Sequence, residues 1–305
     1  MSNRSLKFEQ TFNVNTVVWI TSLPEDEIGP SNRMKEDLAI LSIDGRFAFE
    51  AVAVGSRAEL LSFLTQVAER CANGLRPILH FDCHGSAESG LLLAPSGDFL
   101  AWVNLAEALR EVNVAAENNV ACIFGVCFGI FLSMELSLSE PTPYFLTIAP
   151  EKEIAVGELQ ERLAPFYARL FETGNITQAY RDKLAPSLSV FYSTEVFAKA
   201  FATYIANHAS GHAARSRKEA VISGALKAKG ITTPTNGQLR SLRRLVKDGL
   251  RPSQAQFTHF AKRFLIGRSP GFTLAEVLEL AEHFRKRRNA VNRVDQCVGG
   301  NHLMP

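Results

Sequence analysis

The chain has 305 residues, of which 46% are hydrophobic and 21% are charged, a balance typical of a globular protein with a sizeable core. This balance argues against a fibrous or low-complexity chain. No apolar run approaches the roughly 20 residues of a membrane span, so we expect no membrane partner. The first residues lack the apolar core of a signal peptide, and the five cysteines are scattered along the chain. We therefore expect a cytoplasmic protein in which any special cysteine is catalytic rather than disulfide-bonded.

The net charge of +2 hides an uneven distribution of charge along the chain. Residues 1–208 contain 15 Lys and Arg against 25 Asp and Glu, whereas residues 209–305 contain 18 against 6. The stretch around residue 208 is small and polar before it turns basic, as in a linker. We predict an acidic domain at 10–208, a basic domain at 209–291 and a disordered tail at 292–305.

The acidic domain alternates between strand and helix signals. Strands are predicted at 14–20, within 45–56, at 77–82, within 118–129, within 142–150 and from 188, with a β-hairpin at 89–102. Helices are predicted from the capping box Ser56–Glu59 to Asn73, at 105–114, at 157–184 as one helix, and after the last strand. Strands that are apolar throughout and alternate with helices indicate an α/β fold with a mostly parallel sheet flanked by helices.

The basic domain has a different pattern, without strand signals. Three further capping boxes pair Thr235 with Gln238, Ser253 with Gln256, and Thr273 with Glu276. We therefore predict a small C-terminal all-helical domain of three or four helices. Its clustered Lys and Arg favour docking on a protein partner or a solvated face over the binding of nucleic acid, which stays the alternative.

Two strands of the predicted sheet end in residues that carry chemistry. The apolar run from Pro77 leads to His84 and Gly85, and the run from Val120 leads to Cys127. Because active groups in such sheets gather beyond the carboxyl ends of the strands, His84 is expected to serve as base for a Cys127 nucleophile. The amides of Gly85 and Cys127 would then form an oxyanion hole.

Two acidic residues near His84 are weaker candidates for binding substrate. Asp82 either selects a basic P1 residue or, as we favour, orients the loop by bonding backbone amides. Glu88 is a similar candidate. Cys83 faces away from His84, since adjacent strand residues point to opposite sides, and the sequence indicates neither a metal nor an organic cofactor.

The order of these motifs resembles the caspase-like cysteine proteases, and the segment "HGSAESGLLLAPSGDFLAWVNLAEAL" resembles the CHAT group among them. The later "LAPFYARLFETGNITQAYRDKL" is similar to a pair of CHAT helices around a glycine turn. The resemblance covers residues 75–195 by motif and 12–75 by topology. Val126 is a departure, because CHAT proteins usually carry a smaller residue before the cysteine, and we expect the local packing to differ there.

The resemblance implies a regulated cysteine endopeptidase that cleaves a few protein targets through an acyl-enzyme, with Cys127 as nucleophile and His84 as general acid and base. It further implies a role in bacterial immunity, such as antiviral defence, or in cell death, with an activating or recruiting partner bound by the basic domain. Two alternatives stay open. One is a non-catalytic caspase-like scaffold, and the other is a nucleic-acid-dependent sensor that acts through the basic domain.

Overall fold

The computed structural model describes residues 6, 8, 13–44, 47–185, 187–208, 211–249 and 252–298. These residues group into two compact units. The α/β unit comprises the described part of Phe8–Glu195 with Ala261–Ser269. The helical unit comprises the described part of Met1–Lys7, Val196–Phe260 and Pro270–Pro305. The linker expected near residue 208 falls at residues 209–210, which lie outside the described residues.

The α/β unit is built around a mostly parallel sheet, as predicted. Its strands are β1 (Thr16–Ser22), β2 (Ala48–Ala53), β3 (Pro77–Ser86), β4 (Gly90–Leu93), β5 (Asp98–Leu100), β6 (Ala121–Phe124), β7 (Leu146–Ala149) and β8 (Ser189–Tyr192). The order across the sheet is β2-β1-β3-β6-β7-β8. In this order β2, β1, β3, β6 and β7 run parallel to one another, and β8 runs antiparallel to β7. Strands β4 and β5 form an antiparallel hairpin that pairs with the end of β3.

Helices cover the sheet in this unit. They are α1 (Ile28–Leu41), α2 (Arg57–Ala72), α3 (Trp102–Ala115), α4 (Val156–Thr173) and α5 (Ile176–Lys183). The buried residues of α2 and α3 pack in one hydrophobic cluster with β1, β3 and β6, and those of α1, α4 and α5 pack in another. The two clusters are the two faces of the sheet, because successive residues of β1 and β3 alternate between them.

The single helix predicted at 157–184 is wrong, because the chain forms two helices there. Gly174 ends α4 in the left-handed conformation at φ 65°, which glycine adopts without strain. Asn175 then caps α5, since its side chain accepts a hydrogen bond from the Gln178 amide at 3.0 Å.

The helical unit contains the helices that follow β8. They are α6 (Ser193–His208), α7 (Gly211–Ala228), α8 (Asn236–Gly249), α9 (Gln254–Phe264) and α10 (Leu274–Val298). The first residues of α6 and the last residues of α9 belong to the α/β unit. In all three predicted capping boxes the Ser or Thr hydroxyl accepts from the amide three residues later, at 3.2 to 3.4 Å. The reciprocal bond, from the N-cap amide to the Gln or Glu side chain, is present at Thr235 and Thr273, at 2.8 Å in both. Phenylalanine rings at 197, 201, 257 and 272 contact one another within the unit, in stacked, tilted and edge-on pairs.

The end of the chain differs from the tail expected at 292–305. Helix α10 continues to Val298. No glycine or proline interrupts the run between Leu274 and Val298, so nothing in the sequence breaks the helix within it. Residues 299–305 lie outside the described residues.

Asn113 holds the segment that enters β6. Its amide nitrogen donates to the Asn118 side chain and to the Thr142 carbonyl, and its oxygen accepts from the Val120 amide, at 2.8 to 3.1 Å. Asn113 is completely buried, so none of these groups can turn to water instead. The network therefore holds the backbone at the start of β6.

Replacing Asn113 by Leu is expected to lower the free energy of unfolding by about 2–4 kcal/mol, because it leaves buried partners without a hydrogen bond. Asn104→Leu, at a partly exposed position of the same helix, is the control and is expected to change it by less than about 1 kcal/mol. Urea unfolding of both variants measures the difference. Equal effects would show that the network does not hold this segment.

Candidate active site

The site begins where β3 leaves the parallel sheet. Residues 77–83 of β3 pair in parallel with β1, and its last residues, His84 to Ser86, pair antiparallel with β4. His84 is therefore the first residue beyond the parallel sheet. It lies beside the point at which strand order reverses, between β1 and β3, where α/β sheets open a crevice for ligands.

Alternation along β3 places three polar side chains on one face of the sheet. His80, Asp82 and His84 lie two residues apart and point to the side covered by α1 and α4. Cys83 points to the opposite face and is buried in the cluster of α2 and α3. The expectation that Cys83 and His84 face apart is confirmed.

Cys127 lies in the turn that follows β6 and is half-buried. Of the cysteines whose side chains are described, the other three are fully buried. Burial raises the pKa of Cys71 to about 11 and raises the pKa of Cys83 and Cys122 still further, so their thiolates are strongly disfavoured. Cys127 is thus the described thiol best placed to meet a reagent in solution.

One cleft brings the two predicted catalytic residues together. His84 and Cys127 both line it, as do Glu27, Ser31, Asp82 and Gly125. The remaining lining is mostly apolar and comes from the start of α1 and the start of α4. The cleft therefore lies over the carboxyl ends of β3 and β6, between two helices.

Glu27 is a residue of the site that sequence reasoning missed. It occupies the N-cap position of α1, yet its side chain makes no capping hydrogen bond. Its Oε2 lies 2.8 Å from Nε2 of His84 instead. This contact holds the imidazole in place and leaves Nδ1 as the ring nitrogen that remains for another partner.

Gly85 is required by its surroundings. A methyl group at this position would overlap the carbonyl oxygen of Cys127 and lie 2.5 Å from Cγ1 of Val126. The missing side chain therefore makes room for the turn that carries Cys127. It also accounts for Val126, whose side chain is completely buried in the space that Gly85 leaves free.

The backbone amide of Cys127 has no acceptor among the residues that the structure describes. Its thiol makes only a long contact of 3.9 Å with the carbonyl oxygen of Ile154. An amide without an acceptor at the edge of a cleft can donate to the oxygen of a bound molecule. This is the arrangement expected of one half of an oxyanion hole.

Asp82 lies deeper in the same cleft. Its Oδ2 accepts a hydrogen bond from Nε1 of Trp19 at 3.2 Å, whereas we expected it to bond backbone amides of its own loop. Burial raises the pKa of the Asp82 carboxyl, and the nearby Ser31 hydroxyl and the Trp19 N–H oppose this only in part.

A buried polar cluster, which no sequence motif predicted, supports Asp82 from behind. His80 stacks on Trp19 with ring centroids 3.6 Å apart, and its Nδ1 shares a hydrogen bond of 2.8 Å with the Tyr167 hydroxyl. Burial lowers the pKa of His80 to about 3, so the ring is neutral in the physiological range. Trp19 is thereby fixed between a neutral imidazole and the carboxyl that it binds.

Glu88 lies apart from this constellation. It is exposed in the turn of the hairpin between β3 and β4, and it does not line the cleft. No group of three or more His, Cys, Asp or Glu side chains suited to a metal ion is found in the part of the chain that the structure describes. Among the same residues, no helix is both long and apolar enough to cross a membrane.

Gly85→Ala is expected to lower the free energy of unfolding by about 1–3 kcal/mol, because the added methyl group overpacks the Cys127 turn. Val126→Ala in the same chain should relieve part of this strain. The double variant is then less destabilised than the sum of the single variants, by about 0.5–3 kcal/mol.

Gly157→Ala is the matched control, because a methyl group there meets no atom within 4 Å. This variant should be neutral or slightly stabilised. Thermal or urea unfolding of the four variants gives the coupling. Strict additivity of Gly85→Ala and Val126→Ala would contradict the packing described above.

No model of a known protein family matches this sequence, and no curated protein matches it either. The function of the cleft has therefore to be inferred from its own geometry and chemistry.

Proposed function

We propose that this protein is a cysteine endopeptidase with a caspase-like α/β domain, related in design to the CHAT group that its motifs resemble. The observation that carries the proposal is that Cys127 and His84 follow neighbouring parallel strands and line one cleft. A partly accessible thiol and an imidazole held by a carboxylate are the parts that nucleophilic catalysis by cysteine requires.

In the proposed reaction, His84 accepts the proton of the Cys127 thiol through Nδ1, while Glu27 holds Nε2. The thiolate attacks the carbonyl carbon of the scissile peptide. The oxygen of the tetrahedral intermediate accepts hydrogen bonds from the amides of Cys127 and Gly85. The intermediate collapses as the C–N bond breaks and His84 returns the proton to the leaving amine, which leaves a thioester on Cys127.

Hydrolysis completes the cycle. His84 takes a proton from a water molecule, and the resulting hydroxide attacks the thioester carbonyl. The C–S bond then breaks, the acid product leaves, and the thiol recovers its proton from His84. Glu27 acts only by fixing the orientation of the imidazole, as the third group of a catalytic triad does.

The biological role that we propose rests on the resemblance of the motifs alone. Regulated cleavage of a few protein targets, in immunity or cell death, is what the resemblance of the motifs implies. The basic helices after residue 208 are the proposed site at which an activating or recruiting protein binds.

The rate at which Cys127 reacts with a mild alkylating agent tests the dyad. We expect Cys127 to react at least about tenfold faster than Cys71, Cys83 and Cys122, because of these four described cysteines it alone is partly exposed and shares a cleft with an imidazole. His84→Ala should reduce the Cys127 rate by about tenfold or more, since the base is lost. Peptide mass spectrometry follows each cysteine separately.

His283→Ala, at an exposed position of α10, is the control and should leave the Cys127 rate unchanged. If His84→Ala also leaves that rate unchanged, Cys127 is merely an exposed thiol. The non-catalytic scaffold then becomes the better explanation of the fold.

Glu27→Gln tests the third group. The amide can still meet the imidazole but no longer favours its charged form, so we expect the pH at which the Cys127 alkylation rate is half-maximal to move. A purely structural role for Glu27 would leave this pH profile in place. Glu25→Gln, two residues earlier and exposed, is the matched control and should behave like the wild type.

A further inference from the structure

The hairpin of β4 and β5 extends the sheet beside His84. Strand β4 pairs antiparallel with the end of β3, with Leu92 opposite His84, and β5 pairs antiparallel with β4, with Phe99 opposite Leu92. Residues directly opposite each other in antiparallel strands place their side chains on the same face, about 5 Å apart. His84, Leu92 and Phe99 therefore form one row across three strands, with Phe99 about 10 Å from His84.

Burial agrees with this arrangement. The residues that alternate with the row, Leu91, Leu93 and Leu100, are completely buried in the cluster of α2 and α3. Leu92 is half-buried and Phe99 is 45% exposed. Neither of these two side chains is part of the two hydrophobic clusters that the described residues form. One face thus anchors the hairpin, and the other presents two large apolar side chains to solvent.

Close contacts hold the hairpin in place. Nε1 of Trp102 donates to the carbonyl oxygen of Ser86 at 2.9 Å. Gly90 has a φ of 95°, and a methyl group there would overlap the carbonyl oxygen of Leu100. Because the two strands pack without space for a side chain at Gly90, their register is fixed. The row is therefore part of a defined surface.

His84 is the residue that the row shares with the cleft. Cys127 lines the cleft, whereas Leu92 and Phe99 are not among the described residues that do so. In the proposed reaction the acyl group stays on Cys127, and His84 gives its proton to the leaving amine. The residue that carries this amine must therefore lie next to His84, where the row begins.

We propose that Leu92 and Phe99 form the subsite for the P1′ residue, the first residue after the scissile bond, and that they select a large apolar side chain there. The inference rests on the proposed peptidase function and deepens it by naming a substrate class. A leucine or phenylalanine side chain over Leu92 and against the ring of Phe99 removes apolar surface of both partners from water.

Charge on the hairpin favours the same class of residue. The stretch from His84 to Ala101 carries two carboxylates, Glu88 and Asp98, and neither Lys nor Arg. Both carboxylates are exposed. An acidic P1′ residue would meet charges of its own sign here, so it is the residue type that the surface disfavours most.

Aminolysis of the acyl-enzyme tests the subsite, because it reverses the step in which the amine leaves. p-Nitrophenyl acetate acetylates the full chain, as the Cys127 thiolate attacks the ester carbonyl and p-nitrophenolate leaves. The nitrogen of an added amino acid amide then attacks the thioester carbonyl and the C–S bond breaks. His84 takes a proton from this nitrogen and returns it to the thiol. The amino acid of the acetylated product has occupied the P1′ position.

An equimolar mixture of leucine, phenylalanine, glycine and aspartic acid α-amides competes for the thioester, and mass spectrometry measures each acetylated product. Products formed by Cys127→Ala are subtracted, and S-acetyl-N-acetylcysteine corrects for the reactivity of the amines themselves. We expect the leucine and phenylalanine amides to be used at least about fivefold more than the other two, as partial burial of an apolar side chain provides.

Variants of the row separate recognition from structure. Leu92→Thr and Phe99→Thr keep a residue suited to a strand and should each reduce the preference to about twofold or less. Phe99→Leu keeps an apolar side chain and should retain most of the preference. Val114→Thr is the control, because Val114 is 44% exposed, as Phe99 is, but lies at the far end of α3. It should behave like the wild type.

Stability provides a check on folding. The buried face of the hairpin is unchanged in these variants, and only a cross-strand pair on the open face is lost. The Tm of Leu92→Thr and of Phe99→Thr should therefore fall by no more than about 4 °C.

The outcomes separate the two proposals. If Cys127 is acetylated but no amide competes with water, or glycine or aspartic acid amide is used as readily as the apolar amides, the P1′ assignment is overturned and the peptidase proposal stands. The same holds if both threonine variants keep the preference. If Cys127 is acetylated no faster than Cys71, both proposals are overturned.

Discussion

The alternation of side chains along β3 is the constraint on which the rest of the site depends. This strand continues past the edge of the parallel sheet into the β4 hairpin, so that one unbroken pleat places His80, Asp82 and His84 on one face. The residues between them, Phe81 and Cys83, are buried on the other face. A shift of one residue in register would exchange the two sets and bury the imidazole in the apolar cluster.

The two faces of the sheet serve different ends. On the side of α2 and α3, β1, β3 and β6 contribute apolar side chains to a continuous cluster. On the side of α1 and α4, the sheet tolerates Trp19, His80 and Asp82, because the indole N–H, one carboxyl oxygen and Nδ1 of the imidazole each have a partner. Among the described residues, the second ring nitrogen of His80 has none. Such a series adds little net stability, since hydrogen bonds replace those lost to water. It does fix the orientation of the Asp82 carboxyl.

The sequence indicated most of the elements because their signals are local. Apolar strands, capping boxes and glycine turns each involve residues a few positions apart, and so His84 and Cys127 were found at the ends of their strands. The two helices in place of one at 157–184 are marked by Gly174 and Asn175, which together form a stop and a start signal. The periodicity alone ran through this turn, whereas the resemblance of the segment to two helices around a glycine included it.

Glu27 and Ser31 could not be found in this way. Helix α1 buries only Ser31, Met34 and Leu38, so its apolar periodicity is too sparse to stand out. The contact between Glu27 and His84 joins residues 57 positions apart, and no local pattern reports a pairing of that kind. The same holds for Gly85 and Val126, whose fit explains why a residue larger than expected stands before the cysteine.

The turn at Cys127 bears on the choice between catalyst and scaffold. Phe128 adopts the left-handed conformation at φ 60°, which costs a residue with a side chain about 1–2 kcal/mol. The turn is held by a hydrogen bond from the Gly129 amide to the Val126 carbonyl, while the Cys127 amide has no acceptor in the described chain. The left-handed residue does not by itself separate the two, because Glu117, Asn118 and Ile266 also have positive φ and do not line the cleft. The amide is the better argument, since the proposed peptidase needs a donor for the oxygen of its intermediate and a scaffold does not.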